Sequence, residues 1–551
     1  HALNVALHAV CALLVFGIVR RTLDVLRYSS PSGIRGEQLA CAAALLWAVH
    51  PLNSEVVDYI TQRTESLMAL FYLLMMYTSI RAYQSRGARF WPTAAVLSCA
   101  AGMACKESMA TAPLMIVVYD RVFLFESFGA AVKRRGRLYA GLAAGYVVLI
   151  ALMASQPRTS SAGFATASVS ASAYLWNQAV MVTRYLFLAV WPHALVLYYG
   201  WPRALRLRDV WPYVGLIGLL LAATVFVLLR RPRAGFPGTW FFVTLAPASS
   251  FVAVGSEVGA ERRMYLPLVA LMVLAVIAAD RLLRRTGSPR TIAAILLVAV
   301  ASVFSGLTVG RTREYQSPLT LAYTVLSRWP SPIAYHMVGT ELAKSGRHAD
   351  AIAYLRIAAP DYAVARYSLG TELFADGNVS EAIDQLRAFV REEPNLVYAT
   401  DAHFVMGRAF MARHEWGTAA EQFRLVLIQR PSDPDVHGLL AESLVQQQSF
   451  AEAVPHFRQF LGGRPNDPSA CTGLGIALIS TGAVDEAIAA FRCAVDADPR
   501  NVHFRVNLAR AMLEHGDATG AEQEAQAALQ LDPRDPDARA VLERARVLRS
   551  R

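Results

Sequence analysis

The chain has 551 residues, 55% of them hydrophobic and 17% charged, with a formal net charge of +11 and six cysteines. That length exceeds one compact domain, and its apolar residues are unevenly spread. Before about residue 310 they come in runs near the roughly 20 residues needed to cross a bilayer, and after about 330 in short amphipathic stretches. The positive charge does not point to nucleic acid, because the arginines cluster in short loops between apolar runs instead of forming a stripe on a soluble domain.

The first apolar run, ALNVALHAVCALLVFGIV, follows His1 directly and lacks the basic start and cleavage site of a signal peptide. The chain is therefore expected to begin part-way through a longer protein. Ten spans are predicted, at about residues 1–19, 38–52, 66–81, 92–105, 108–124, 138–154, 210–229, 238–254, 265–280 and 291–309. Residues 177–202 either span or lie in the interface with Trp and Tyr at headgroup depth. The interfacial assignment is adopted because it makes the loops alternate. Arg20, Arg21 and Arg27, Arg81, Arg86 and Arg89, Lys133 to Arg137, Arg230 to Arg233, and Arg281 to Arg285 then share one side, the cytoplasmic one by the positive-inside rule. Arg203, Arg206 and Arg208 fall on the other side and count against the scheme. Lysine occurs only at 106, 133 and 344, a bias expected of a GC-rich bacterial genome.

Three polar segments collect on the outer side. In HPLNSEVVDY, Pro51 ends a span and Asn53 or Ser54 is expected to cap a new helix. Glu55 then sits in its first turn, where the dipole favours an anion. Glu55, Asp58 and Gln62 would share a face, with Arg63 and Glu65 close by. In CKES, Lys106 and Glu107 interrupt two apolar runs, and Lys106 offers a point charge to a phosphate. Asp120 and Arg121, at the far end of the second run, read as interface anchors. In APASSFVAVGSEVGAERRMYLPL, an irregular segment leads into Glu261, Arg262 and Arg263 just before a span. Irregular backbone at that depth needs a cavity or protein cover, and arginines at a positive helix start gain from an anionic ligand. The bland reading of each segment is a hydrated, self-paired cluster, with Glu257 and Glu261 as partners in the third.

The cysteines show no zinc-type spacing. Cys11, Cys41, Cys99 and Cys105 lie in or beside apolar runs, as packing thiols do. Cys471 and Cys493 would pair in an oxidising compartment, though packing without a bond is the favoured reading.

The last 220 or so residues repeat. Gly407, Ala441, Gly475 and Ala509 are spaced by 34, as are Ala419, Ala453, Ala487 and Ala521, and Pro431, Pro465, Pro499 and Pro533. This period resembles the tetratricopeptide repeat. Small residues let paired helices approach, and proline ends the second helix of each pair. Two earlier units, around Gly339 and Gly370, bring the count to six, followed by a polar capping helix. The predicted organisation is a transmembrane domain over 1–310, a linker over 311–330, repeats over 331–533 and a cap over 534–551.

HALNVALHAVCALLV, HPLNSEVV with RTE, KES with VYD, WPHALVLYYGWP, and APASSFV with ERRMYLPL, in that order and followed by repeats, resemble the transmembrane and tetratricopeptide-repeat O-mannosyltransferases and their bacterial relatives, of the GT-C class. The resemblance implies an all-α fold, a polytopic GT-C-like bundle followed by an α-solenoid. It also implies transfer of a sugar, mannose for this family, from a polyprenyl-phosphate donor to protein Ser or Thr at the extracytoplasmic face of a bacterial inner membrane. No cofactor is expected besides that donor, no residue is assigned to a metal and a divalent metal is left open; the partners would be membrane lipid and an acceptor protein held by the repeats. Arg262, Arg263, Lys106 and Arg63 would contact donor phosphate, His50 and Glu55 would support catalysis, and Glu261, Glu107 and Glu65 would stand behind them. The family's main catalytic acid is expected upstream of residue 1, after one further span. Asn ladders that grip peptide in some repeat-containing glycosyltransferases are not reproduced, because the aligned positions are Val405, Leu439, Gly473 and Asn507. The competing reading is a non-enzymatic membrane scaffold whose repeats recruit partners for envelope assembly.

Overall fold

The structure, a computed structural model, describes residues 1–59, 62–85, 89–155, 162–163, 170–249, 253–254 and 257–550. Two compact units divide the chain, His1–Ala334 and Tyr335–Arg551.

The first unit is a helix bundle of α1 (Ala2–Leu26), α2 (Gly36–Ala48), α3 (Ser54–Asp58), α4 (Arg63–Gln84), α5 (Phe90–Cys105), α6 (Ala112–Tyr119), α7 (Phe128–Ser155), α8 (Ala171–Val190), α9 (Leu207–Arg230), α10 (Pro232–Leu245), α11 (Pro267–Leu283), α12 (Pro289–Glu314) and α13 (Pro318–Arg328). A two-residue antiparallel pairing joins β1 (Ala162–Gly163) to β2 (Ala253–Val254). Among the described residues four helices, α1, α7, α9 and α12, are long and apolar enough to cross a membrane. The number is five if α2 and the bent segment Pro51–Asp58 form one span.

The sequence predicts ten spans, and the difference has a physical cause. Helices α2, α5, α10 and α11 are 13 to 17 residues long; at 1.5 Å per residue they reach about 20 to 26 Å, short of a hydrocarbon core of about 30 Å. Helix α6 is the middle of a helical run broken into 3-10, α and π turns over Glu107–Leu124, and α4, 22 residues long, falls short in composition and not in length. They pack in the bundle interior around Trp47, Tyr72, Tyr119 and Tyr265. The apolar windows of α9 and α12 bury nothing inside the bundle, as lipid-facing helices do.

Contacts sort the loops into two ends. At the arginine-rich end, Arg135 donates to Asp120 at 2.5 Å and to the Ser79 carbonyl at 2.8 Å, and Tyr139 donates to Asp120 at 2.6 Å. Asp120, expected as an interface anchor, is therefore a buried ion-pair partner. Here too Ser30 donates to Asp280 at 2.5 Å and Arg290 to the Gly33 carbonyl at 2.8 Å. At the opposite, polar end the turn after α2 meets the start of α11 and the end of α12. Along α8 every partner lies at this polar end: Tyr174 donates to the Ala248 carbonyl, Gln178 to the Val258 carbonyl, the Ala260 amide to Tyr185, and the Ala189 carbonyl faces His50. A helix of 20 residues whose two ends both sit there lies across the bundle, as the interfacial assignment expects.

Residues 311–330, expected as a linker, include the last turn of α12 and all of α13. Ser317 caps α13, and Leu321, Ala322 and Val325 bury its apolar face.

The second unit begins within α14 (Pro332–Lys344) and continues with α15 (His348–Ala358), α16 (Ala363–Ala375), α17 (Val379–Glu392), α18 (Tyr398–Ala412), α19 (Trp416–Gln429), α20 (Pro434–Gln446), α21 (Phe450–Gly463), α22 (Pro468–Ser480), α23 (Val484–Ala497), α24 (Val502–His515), α25 (Ala518–Leu531) and α26 (Pro536–Arg549). Consecutive helices pack in pairs, α14 with α15 through α24 with α25, and α26 closes the row. Asp433, Asp467, Asn501 and Asp535 accept backbone N–H bonds at helix starts, and three of the four precede a proline suited to the first helical position. The small residues are forced by proximity: a Cβ on Gly407 would lie 2.5 Å from the Phe423 ring, and one on Gly475 2.6 Å from Phe491. Cys471 and Cys493 are joined in a disulfide with Cα atoms 6.0 Å apart. This corrects the packing-only reading, since neighbouring helices of one repeat bring the two thiols into bonding range.

Gly475→Ala is expected to lower stability by about 1–3 kcal/mol through overpacking, seen as a lower Tm of the full chain. Gly462→Ala, in α21 with open space around it, should leave Tm unchanged or raise it slightly.

Candidate functional site

The polar end is organised by three arginines that arrive from two elements. Residues Glu261–Met264 form a single 3-10 turn ahead of α11, and the extended Ala260 aims its side chains into the bundle end. Arg262 donates to Glu55 at 2.6 Å through its guanidinium and at 2.9 Å through its backbone amide, and also pairs with Glu257. Arg263 donates to the Ala248 carbonyl at 2.9 Å and pairs with Glu257 at 3.2 Å. Arg311, from the last turn of α12, pairs with Glu314 and stands 3.7 Å from Glu261.

Burial ranks these groups by reach. Glu55 and Glu261 have fully buried side chains, whereas Arg262 and Glu257 each keep 16% of theirs exposed. The two guanidinium groups beside it hold the Glu257 carboxyl below its ordinary range, outweighing the opposing effect of burial. Burial pushes the Glu261 carboxyl up to about 7, against the pull of Arg311.

His50 works on the backbone. Its Nδ1 accepts the Leu52 amide at 3.2 Å, and its Nε2 meets the Ala189 carbonyl at 3.1 Å. That fixes the turn Pro51–Asn53 from which α3 presents Glu55. The expected Asn53 or Ser54 cap does not form: Asn53 donates to the Trp47 carbonyl and Ser54 to the Pro51 carbonyl, both hydrogen bonds that close the bend. The single face expected for Glu55, Asp58 and Gln62 is also absent, because α3 ends at Asp58 and Tyr59 turns extended. Asp58 instead accepts from Thr312 at 2.8 Å.

Lys106 pairs with Glu65 at the same end. Arg63, at the start of α4, and Glu107 are exposed. Glu261 was expected to hold the neighbouring arginines, but it points the other way and accepts from the Val196 amide at 2.6 Å and the Tyr199 hydroxyl at 3.0 Å. Within a 3-10 turn adjacent side chains diverge, so Glu261 and Arg262 serve different partners. The structure thus brings His50, Glu55, Glu261, Arg262 and Arg263 together, with Lys106 and Glu65 as a separate pair. Among the described residues no group of three or more His, Cys, Asp or Glu is placed to hold a metal ion.

Sequence reasoning missed Arg311, Tyr199 and the pair Tyr174 and Gln178. Arg311 closes an apolar run and fell inside the expected linker. Tyr174 and Gln178 are four residues apart on one face of α8, a spacing that carries a signal only once the helix is known to lie across the site.

The tetratricopeptide-repeat family model matches residues 336–397, 404–470 and 472–536. Protein O-mannosyl-transferase TMTC4 of Homo sapiens is 26% identical over 411 residues, covering 64% of this chain and 54% of the relative. The resemblance is to the transmembrane and tetratricopeptide-repeat O-mannosyltransferases. Protein O-mannosyl-transferase TMTC3 of Homo sapiens is 26% identical over 166 residues, covering 28% of this chain and 17% of the relative. The chain spans about half the length of the TMTC4 relatives it matches. Among solved structures, MamA 41-end from Desulfovibrio magneticus RS-1 is similar at 22% identity and a TM-score of 0.29, covering 32% of this chain and 98% of that one.

Glu261 holds its proton to about pH 7, above its ordinary 4.5. The stability it contributes is therefore full below about pH 4.5 and lost as pH rises through 7. Glu261→Gln should remove that dependence. Relative to the parent, its thermal stability is expected to improve from pH 5 to pH 8 by up to about 3 kcal/mol, read as Tm against pH.

Proposed function

We propose that this chain acts as a membrane glycosyltransferase. It moves a sugar, mannose by analogy with its relatives, from a polyprenyl-phosphate donor to a Ser or Thr hydroxyl of a protein at the extracytoplasmic face. The observation that carries this reading is the gathering of Arg262, Arg263 and Arg311 with Glu55, Glu257, Glu261 and Glu314 at the polar end, the end away from the arginine loops. Charge buried there is expensive unless it serves a charged reactant.

In this reading the acceptor hydroxyl attacks the anomeric carbon, a carboxylate takes its proton, and the lipid phosphate leaves. Arg262 is the cation with exposure enough to meet that phosphate, and it would turn from Glu257 to do so. Arg263 stays on its carbonyls and keeps Glu257 in place. His50 and Glu55 act as positioning residues, the first by shaping the turn and the second by holding the Arg262 amide and guanidinium. Lys106 and Arg63 lie at the same end as further cations for the donor head. The disulfide between Cys471 and Cys493 supports an oxidising, extracytoplasmic compartment for the repeats, which would present the acceptor.

A scaffold without catalysis is favoured by one observation: Arg262 and Arg263 already have carboxylate partners. Sugar transfer from polyprenyl-phosphate donors, assayed in membranes that carry the protein, separates the two. Arg262→Gln is expected to lower kcat by about 100-fold to 1,000-fold and to lower Tm as well, because it leaves the buried Glu55 unmatched; Arg262→Lys, which keeps the charge but not the fork, should lower kcat with a smaller loss of Tm. Unaltered transfer in both Arg262→Gln and Arg263→Gln would remove the leaving-group assignment.

A further inference from the structure

Two cavities meet at the arginine-rich end of the first unit, opposite the site described above. One, of about 460 Å³, lies between residues 121–126 and the turn Arg231–Ala234. The other, of about 120 Å³, lies beside it in the bundle between α1, α4, α10 and α11. Phe123 and Arg233 line both, so the two adjoin at these side chains.

The chambers differ in chemistry. The wide one gathers Arg121, Arg231 and Arg233 against a single acid, Glu126. Arg231 and Arg233 are exposed and have no side-chain ion pair among the described residues. They flank the start of α10, whose dipole adds positive potential to theirs, so an anion would be attracted by all three. The narrow chamber has Arg233 at its mouth and apolar walls, including Val19 and Trp240. It offers water few partners and suits hydrocarbon. A free phosphate would use only the first chamber and an uncharged lipid only the second.

We propose that this is a binding site for one anionic phospholipid, its phosphodiester on Arg231 and Arg233 and the first part of an acyl chain in the apolar chamber. The positive-inside rule sets this end in the cytoplasmic leaflet, where anionic lipids concentrate. The proposal does not depend on the chemistry at the polar end.

The test is Tm of the full chain in neutral detergent, titrated separately with dioleoylphosphatidylglycerol, dioleoylphosphatidylcholine and glycerol phosphate. The expected result is a saturable rise with phosphatidylglycerol alone. Arg231→Gln with Arg233→Gln should weaken its apparent affinity roughly tenfold. Arg284→Gln with Arg285→Gln, the same loss of charge elsewhere at this end, should change it less than about twofold. An equal rise with phosphatidylcholine or glycerol phosphate would overturn the proposal, as would no rise with phosphatidylglycerol. So would equal weakening in the two double variants, which would reduce the effect to general surface charge. If the Arg231/Arg233 variant fails to fold, native mass spectrometry of the parent decides: one retained phosphatidylglycerol supports the site and none rejects it.

Discussion

The contact on which the polar end depends is the pair between Glu55 and Arg262, residues separated by 207 positions in the chain. The carboxylate has no access to water and takes both the guanidinium and the backbone amide of one residue. That double hold fixes the turn after α2 against the start of α11, and every other charge in the cluster is placed relative to it. Glu257 balances the far side of Arg262, and Arg263 is then steadied by Glu257 and by carbonyls. Removing either member of such a pair leaves an unmatched charge in a dry setting, at a cost of about 3–5 kcal/mol. Well-packed apolar side chains of similar volume often serve stability as well or better. A fold that retains so many ions at one end is therefore not explained by stability alone.

The repeat unit depends on a different constraint, which is volume. Where Gly407 and Gly475 stand, an aromatic ring of the partner helix fills the space a side chain would occupy. Proline after the second helix and an Asp or Asn before the next first helix then fix where each helix stops and starts. Both units are built from helices, yet one is specified by charge pairing across long sequence distance and the other by close packing at short, regular intervals.

That contrast explains what could be read from the sequence. The solenoid was legible because its contacts are local and recur every 34 residues, so Gly407, Ala419 and Pro431 announce their roles by repetition. The division of the bundle into an arginine-rich end and a polar end was legible from arginine placement, and the polar clusters from charge beside apolar runs. Partner choice was not. Nothing in HPLNSEVVDY says that Glu55 reaches Arg262 while Asp58, three residues on, meets Thr312. Nothing in VGRTRE says that Arg311 turns inward. Those assignments depend on bends at His50 and Tyr59 and on a 3-10 turn at Glu261, each set by contacts with distant segments. Span length failed for a related reason. Interior helices such as α2 and α10 are covered by protein, so they need not match the bilayer.

Helix α8 carries a consequence for the ion cluster. It buries one face on the polar end, while Phe187, Val190 and Trp191 near its far end stay exposed. Because Tyr174, Gln178 and Tyr185 of that helix hold the loop bearing Arg263, any displacement of α8 along its axis would be felt as a small shift in the placement of Arg263 and Glu257.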